Sequence, residues 1–185
     1  MKVKHILSGS LSLVTLFSVG VLGFSELKAQ EQERANINAL IEAEIADLQY
    51  NEQLQCMALN IYHEARSDSN LGQEAVGMVT MNRVQSRKYP DTICDVVYQA
   101  HVNSKGQPIR NKCQFSWYCD GKSDTPKNKD KFEEAMNNAK WVLENYGIER
   151  DITDGAIMYH AYYSNPYWSV HYNKTSRIES HIFYK

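Results

Sequence analysis

From residue 31 to 53 the run EQERANINALIEAEIADLQYNEQ is mostly acidic and polar. Within it Ile37, Leu40, Ile41, Ile45 and Leu48 recur at the spacing of one helix face. Residues 54–66 repeat that spacing more densely, with Leu54, Ala58, Ile61, Tyr62 and Ala65 on one side, which predicts a second helix with a buried face. The polar break SDSN, 67–70, supplies N-cap residue types. Helical spacing then resumes over 71–86, with Leu71, Ala75, Met78 and Val79 inward. Pro90 sets the start of a short helix over 92–99. Residues 101–127 mix Gly, Pro, Lys, Asn and Ser without a period, and are expected to form a long loop pinned by cysteines. A further helix runs from Lys129 to Tyr146, with Phe132, Ala135, Met136, Ala139 and Val142 on one face and Gly147 as its stop. Beyond Asp154 the aromatic run AIMYHAYYSNPYWSVHY predicts two short strands turned at Asn165 and Pro166. The whole pattern is mainly α with a small β element, an α+β chain.

Polar residues that interrupt the apolar faces carry the candidate chemistry. On a wheel of about 100° per residue, Glu64 falls just beyond Met57, at the rim of the face made by Leu54, Ala58, Ile61, Tyr62 and Ala65. A carboxyl there is partly shielded from water, and desolvation favours its protonated form. Such a group can donate a proton at neutral pH, as a general acid must when a glycosidic oxygen leaves. In GQEAVGMVTMNRV, 72–84, Asn82 sits in the centre of the apolar face and Arg83 at its edge. Both need polar partners, from a neighbouring backbone, a carboxylate on another helix, or a substrate. The His63-Glu64 dipeptide is not a zinc-protease motif, because Ser67 stands where HExxH requires its second histidine.

Length and composition narrow the picture. The 185 residues suit one domain with a real core. A basic start at Lys2, Lys4 and His5, the apolar Ile6 to Phe24 and the small Ala29 read as a cleaved export signal over 1–29, with the mature chain beginning near Gln30. The alternative is a retained anchor, since the apolar stretch approaches the roughly 20 residues that span a bilayer. Either way the protein is expected to be exported, to the periplasm or cell envelope, and to meet a membrane only through that segment. The cysteines Cys56, Cys94, Cys113 and Cys119 fit disulfides in an oxidising compartment; if the near neighbours Cys113 and Cys119 pair, Cys56 pairs with Cys94. No CxxC and no finger-spaced histidine point to a metal, and no cofactor is called for. The net charge of −2 says little about partners, but nothing resembles the clustered basic surface that nucleic acid would demand.

Taken together, NIYHEARSDSNLGQEAVGMVTMNRV (60–84), YPDTICDVVYQ (89–99), CQFSWYCDG (113–121), GAIMYHAYYSNPYW (155–168) and RIESHIFYK (177–185) resemble the spore-cortex-lytic and cell-wall hydrolase family. Its catalytic domain is similar to lysozyme and lytic transglycosylases. The resemblance covers nearly all of residues 54–185, the expected catalytic domain, and leaves 30–53 as an acidic helix or linker. It implies a lysozyme-like fold that cuts peptidoglycan glycan strands between N-acetylmuramic acid and N-acetylglucosamine, with Glu64 as the catalytic acid. Where the family commonly has Gly-Glu after the arginine, this chain has Ser67 and Asp68, which keeps the charge and alters the loop.

A glycan groove wants flat aromatic platforms beside hydrogen-bonding groups. Trp117, Tyr159 and His160 are the expected platforms, joined by Asn82 and Arg83, while His171 and His181 are expected to be structural. One acid suffices for a lytic transglycosylase. Hydrolysis wants a second carboxylate, for which Asp68, Glu74 and Asp120 are candidates. Two other classes remain: a glycan-binding module without turnover, and an envelope interaction protein working through the helix of residues 37–48.

Overall fold

The computed structural model describes residues 11–185, with side-chain surroundings from residue 26 onward. Residues 1–10 of the expected export segment lie outside the described residues, and the side chains of 11–25 are likewise not described. Two compact units emerge, Met1–Leu48 and Gln49–Lys185. Helix α1 is Leu11–Ala65, so the helices expected over 37–48 and 54–66 are a single element. The physical reason is that neither glycine nor proline interrupts QYNEQ, 49–53. In the first unit the apolar face stays uncovered, with Ile37 48% and Leu40 71% exposed. Among the described residues no helix is long and apolar enough to cross a membrane.

The second unit carries the core. Helix α2 is Asn70–Val84, α3 is Ile93–Val97 and α4 is Lys129–Asn145. Thr92 and Asn128 cap α3 and α4 by accepting the backbone N–H of Asp95 and Lys131. Met57, Ala58 and Ile61 of α1 pack with Val76 of α2, Val96 and Val97 of α3, and Ala135, Ala139 and Val142 of α4. Gly77 shows how close these helices come, because a Cβ there would lie 2.9 Å from Val142 Cγ2 and 3.3 Å from Ile61 Cδ1. Helix propensity alone would favour alanine. Leu71, expected inward, is exposed, because Gly72 and Gln73 take the inward places in the first turn of α2.

The stretch 101–127 is not a structureless loop. It holds most of a hairpin of β1 (Ala100–Val102) and β2 (Pro108–Cys113), then a 3-10 turn over Ser116–Cys119. Asn103 Oδ1 accepts from the N–H of Lys105 and of Gln107, and Gly106 takes φ 75°, so the turn is built locally. Both strands are largely exposed and lack the alternation that marks a half-buried strand. The Cys56–Cys94 disulfide ties α1 to α3, and Cys113–Cys119 ties β2 to the 3-10 turn.

The aromatic C-terminal part departs from expectation. Strand β3 is Met158–Ala161, but a 3-10 turn occupies Tyr167–His171, where the second strand was expected. β3 pairs instead with β5 (His181–Tyr184), which also pairs with β4 (Lys174–Ile178), giving an antiparallel sheet ordered β3-β5-β4. Phe183 is fully buried beneath this sheet and packs with Ala75 and Val79 of α2.

Candidate active site

Glu64 lies in the last turn of α1, where its helix neighbours Ile61 and Ala65 are buried in the core. Its carboxyl faces a cleft of about 270 Å³ whose lining includes His63, Asp68, Tyr163, Ser180 and His181. Tyr159 of β3 donates its hydroxyl to Glu64 Oε2 at 3.1 Å. Burial raises the Glu64 pKa above the usual carboxylate value, against the opposing pull of the Tyr159 hydrogen bond and the Arg83 charge. Burial and the adjacent Glu64 charge also push the Tyr159 phenol well above its ordinary value, so it remains a donor.

The cleft is assembled by docking the β4–β5 turn onto the turn between α1 and α2. Glu179, at φ 45°, accepts the N–H of Ser69 at 2.9 Å and also its hydroxyl. Those bonds hold the Glu179 carboxyl below its usual value. Ser180 Oγ donates to Asp68 Oδ2 at 2.6 Å, and His181 Nδ1 lies 3.3 Å from the same oxygen. Gly72 makes room for this, since a Cβ there would come 2.7 Å from Asp68 Cβ. His181 in turn meets the Tyr159 ring edge to face, with centroids 5.1 Å apart. Asp68, His181 and Tyr159 therefore form a packed chain that ends at Glu64. Burial lowers the His181 pKa, opposed by the Asp68 charge, so the ring sits in the site as a largely neutral imidazole.

The other candidate residues are placed differently. Asn82 Nδ2 donates to Asp151 Oδ2 at 2.8 Å and to Ala156 O at 3.0 Å, while Asn82 Oδ1 accepts from Tyr146. Arg83 is buried between the rings of Tyr89 and Phe115, and its Nε donates to Ile157 O at 2.8 Å. Neither lines the cleft; both fasten α2 to the chain ahead of β3, and Arg83 reaches Glu64 through its charge. Adjacent residues of a strand point to opposite faces, and so Tyr159 faces Glu64 while His160 stacks on Tyr184 and accepts from its hydroxyl at 2.9 Å. Trp117 is buried, donates Nε1–H to Asn60 Oδ1 at 3.2 Å and stacks on His63 at 4.5 Å. Of the second carboxylates considered, Asp68 shares the cleft with Glu64; Asp120 lies in a neighbouring cleft paired with Lys122, and Glu74 lines neither.

Several cleft residues had no signal of their own in the sequence. His181 read as structural because nothing in RIESHIFYK links it to residue 64. His63, Arg66 and Tyr163 were visible only as neighbours of residues chosen for other reasons.

A glutamate at a helix end, its pKa raised by burial and its carboxyl fixed by a tyrosine, is thus set in a cleft between a helical body and a small antiparallel sheet of an α+β fold. The chain matches the family model described as cell wall hydrolase over residues 67–184 and belongs to that family. Glu64 lies just ahead of the matched span. Its fold matches the catalytic domain of the germination-specific lytic transglycosylase SleB from Bacillus anthracis, with TM-score 0.55 and 26% identity over 72% of this chain and 93% of that one. The catalytic domain of the Bacillus cereus SleB protein shares the fold, with TM-score 0.50 and 24% identity over 73% and 91% of the two chains. A spore cortex-lytic enzyme of Bacillus cereus is 41% identical over 46 residues, which make up 25% of this chain and 18% of that protein. The match therefore spans under a fifth of that relative's length.

Proposed function

We propose that this protein cleaves the glycan strand of peptidoglycan between N-acetylmuramic acid and N-acetylglucosamine as a lytic transglycosylase, outside the cytoplasm, with residues 54–185 as the catalytic domain and Glu64 as its one catalytic acid and base. The observation that carries this is the Glu64 carboxyl, raised by burial and held by Tyr159 in an open cleft. Family membership and the SleB-like fold agree with it.

In this scheme Glu64 gives its proton to the bridging oxygen as the bond from that oxygen to the muramic anomeric carbon breaks. The resulting carboxylate then takes the proton of the muramic 6-hydroxyl. Its oxygen closes onto the anomeric carbon, leaving a 1,6-anhydro end and consuming no water. Tyr159 steadies the carboxylate between the two steps, and the exposed Tyr163 ring at the cleft offers a face for a sugar.

Hydrolysis is the second reading, favoured by the presence of Asp68 in the same cleft. Asp68 is committed to Ser180 and His181, and this favours the route that needs no second carboxylate. Incubation with purified cell walls and mass spectrometry of the products should yield 1,6-anhydro ends; reducing ends would move the assignment to hydrolysis with Asp68. Glu64→Gln should lower lysis at least about a thousandfold while the fold persists. Lysis that survives this change would remove Glu64 from the mechanism.

A further inference from the structure

A second and larger cleft, about 640 Å³, opens beside the first, and His63 and Arg66 line both. Its floor is the His63–Trp117 stack, with rings 4.5 Å apart and 16° from parallel. His63 is fixed there because its Nε2–H donates to Asp124 O at 2.9 Å, a carbonyl that can only accept. The loop bearing Lys127 is held to α1 by Tyr62, whose hydroxyl accepts the N–H of Lys127 and of Asn128. Tyr62 also seats Arg66, whose guanidinium lies 5.2 Å from the ring centroid.

This cleft offers unpaired charges of both signs, and a bare glycan, which has no amine, would leave the anionic one unmatched. Lys122 is matched by Asp120 at 3.2 Å, but among the described residues neither Arg66 nor Lys127 has a carboxylate within ion-pair distance, nor has Asp124 a cation. Where a peptide is attached, the lactyl carboxyl of muramic acid is tied up in an amide, so the sugars of such a strand carry no charge of their own. The charge of peptidoglycan is carried by the short peptide attached to muramic acid, which brings carboxylates and, where it holds a diamino acid, an amine. Planar guanidinium and ammonium groups beside an aromatic platform are suited to such carboxylates.

We propose that this neighbouring cleft binds the muramic-acid stem peptide, with Arg66 and Lys127 taking a peptide carboxylate, Asp124 facing the peptide amine and the His63–Trp117 stack packing against its apolar part. The chain would then select glycan that carries peptide. This rests on Glu64 marking the glycan-cutting site, since the two clefts adjoin at His63 and Arg66.

Binding measured on the Glu64→Gln chain tests the inference without relying on turnover. Soluble muropeptides are titrated by calorimetry in parallel with the same glycans stripped of peptide by an amidase, which keep a lactyl carboxylate but lose the peptide's amine and apolar part. The peptide-bearing form should bind at least about tenfold more tightly. Lys127→Glu, a change at an exposed side chain, should bring the two affinities together, whereas Lys88→Glu outside the cleft should leave their ratio as it was. Equal affinities in the Glu64→Gln chain, or a ratio that Lys127→Glu does not move, would overturn the peptide site. Neither outcome bears on the cutting reaction, which wall lysis by the unaltered chain tests separately.

Discussion

A carboxyl that must hold its proton near neutrality needs dry surroundings and few donors, and Glu64 has one donor, Tyr159, with the Arg83 charge behind it. Both stabilise the carboxylate and so oppose the effect of burial. Tyr159→Phe removes a hydrogen bond that favours the charged form. The acid form of Glu64 would then persist to higher pH. The alkaline limb of kcat/KM should move to higher pH while the plateau rate falls; a limb that stays put or moves down would mean that another group is titrating. Asp151 offers a residue-scale test of stability. Burial works against its charge, but hydrogen bonds from Thr153, Asn82 and the Gly155 N–H outweigh this and hold its pKa below the usual value. A depressed carboxyl contributes stability above its unfolded pKa and loses it as pH falls through the folded value. Asp151→Asn should therefore cost about 1 kcal/mol in urea unfolding at pH 7, since solvent screens this half-buried carboxylate. The gap from the unaltered protein should close below about pH 4.

At the scale of elements, periodicity revealed α4, which buries one face, and the rim position of Glu64; α2 also followed helical spacing, although Ala75 to Thr80 are all buried between the helical core and the sheet. Periodicity failed where a segment buries little. The β1–β2 hairpin shows no alternation, and its turn is set by Asn103 and Gly106 rather than by apolar spacing. It failed again where partners are remote in sequence: the pairing of β3 with β5 skips the intervening turn and β4, which no local pattern encodes. The Cys56–Cys94 bond joins elements separated by 38 residues, and closing a loop of that length restricts the unfolded chain by up to about 4 kcal/mol. A Cys56→Ala, Cys94→Ala double variant should lower unfolding stability by about 3 kcal/mol. An unchanged denaturation midpoint would show that the bridge does not hold α1 to α3 energetically.

For the molecule as a whole, the division at Leu48 separates an exposed amphipathic helix from the unit that contains Glu64, the sheet and both disulfides. The core of the second unit draws on α1 only from Leu54 onward. A chain of residues 49–185 should therefore fold, melt within a few degrees of the full protein and lyse purified walls at a comparable rate. Loss of lysis with the fold intact would instead give the N-terminal helix a part in the reaction and favour the envelope-interaction reading.

Local sequence was enough to place the helices of the second unit and an acid at the edge of an apolar face. Each follows from residues within a few positions of one another. The fold alone decided what surrounds that acid. Tyr159 reaches it, and Ser180 and His181 reach the neighbouring Asp68, only with β5 between β3 and β4 and the Glu179 turn held on Ser69. The proton-holding environment is thus made of contacts about a hundred residues apart, and desolvation depends on those contacts rather than on any neighbour in the chain.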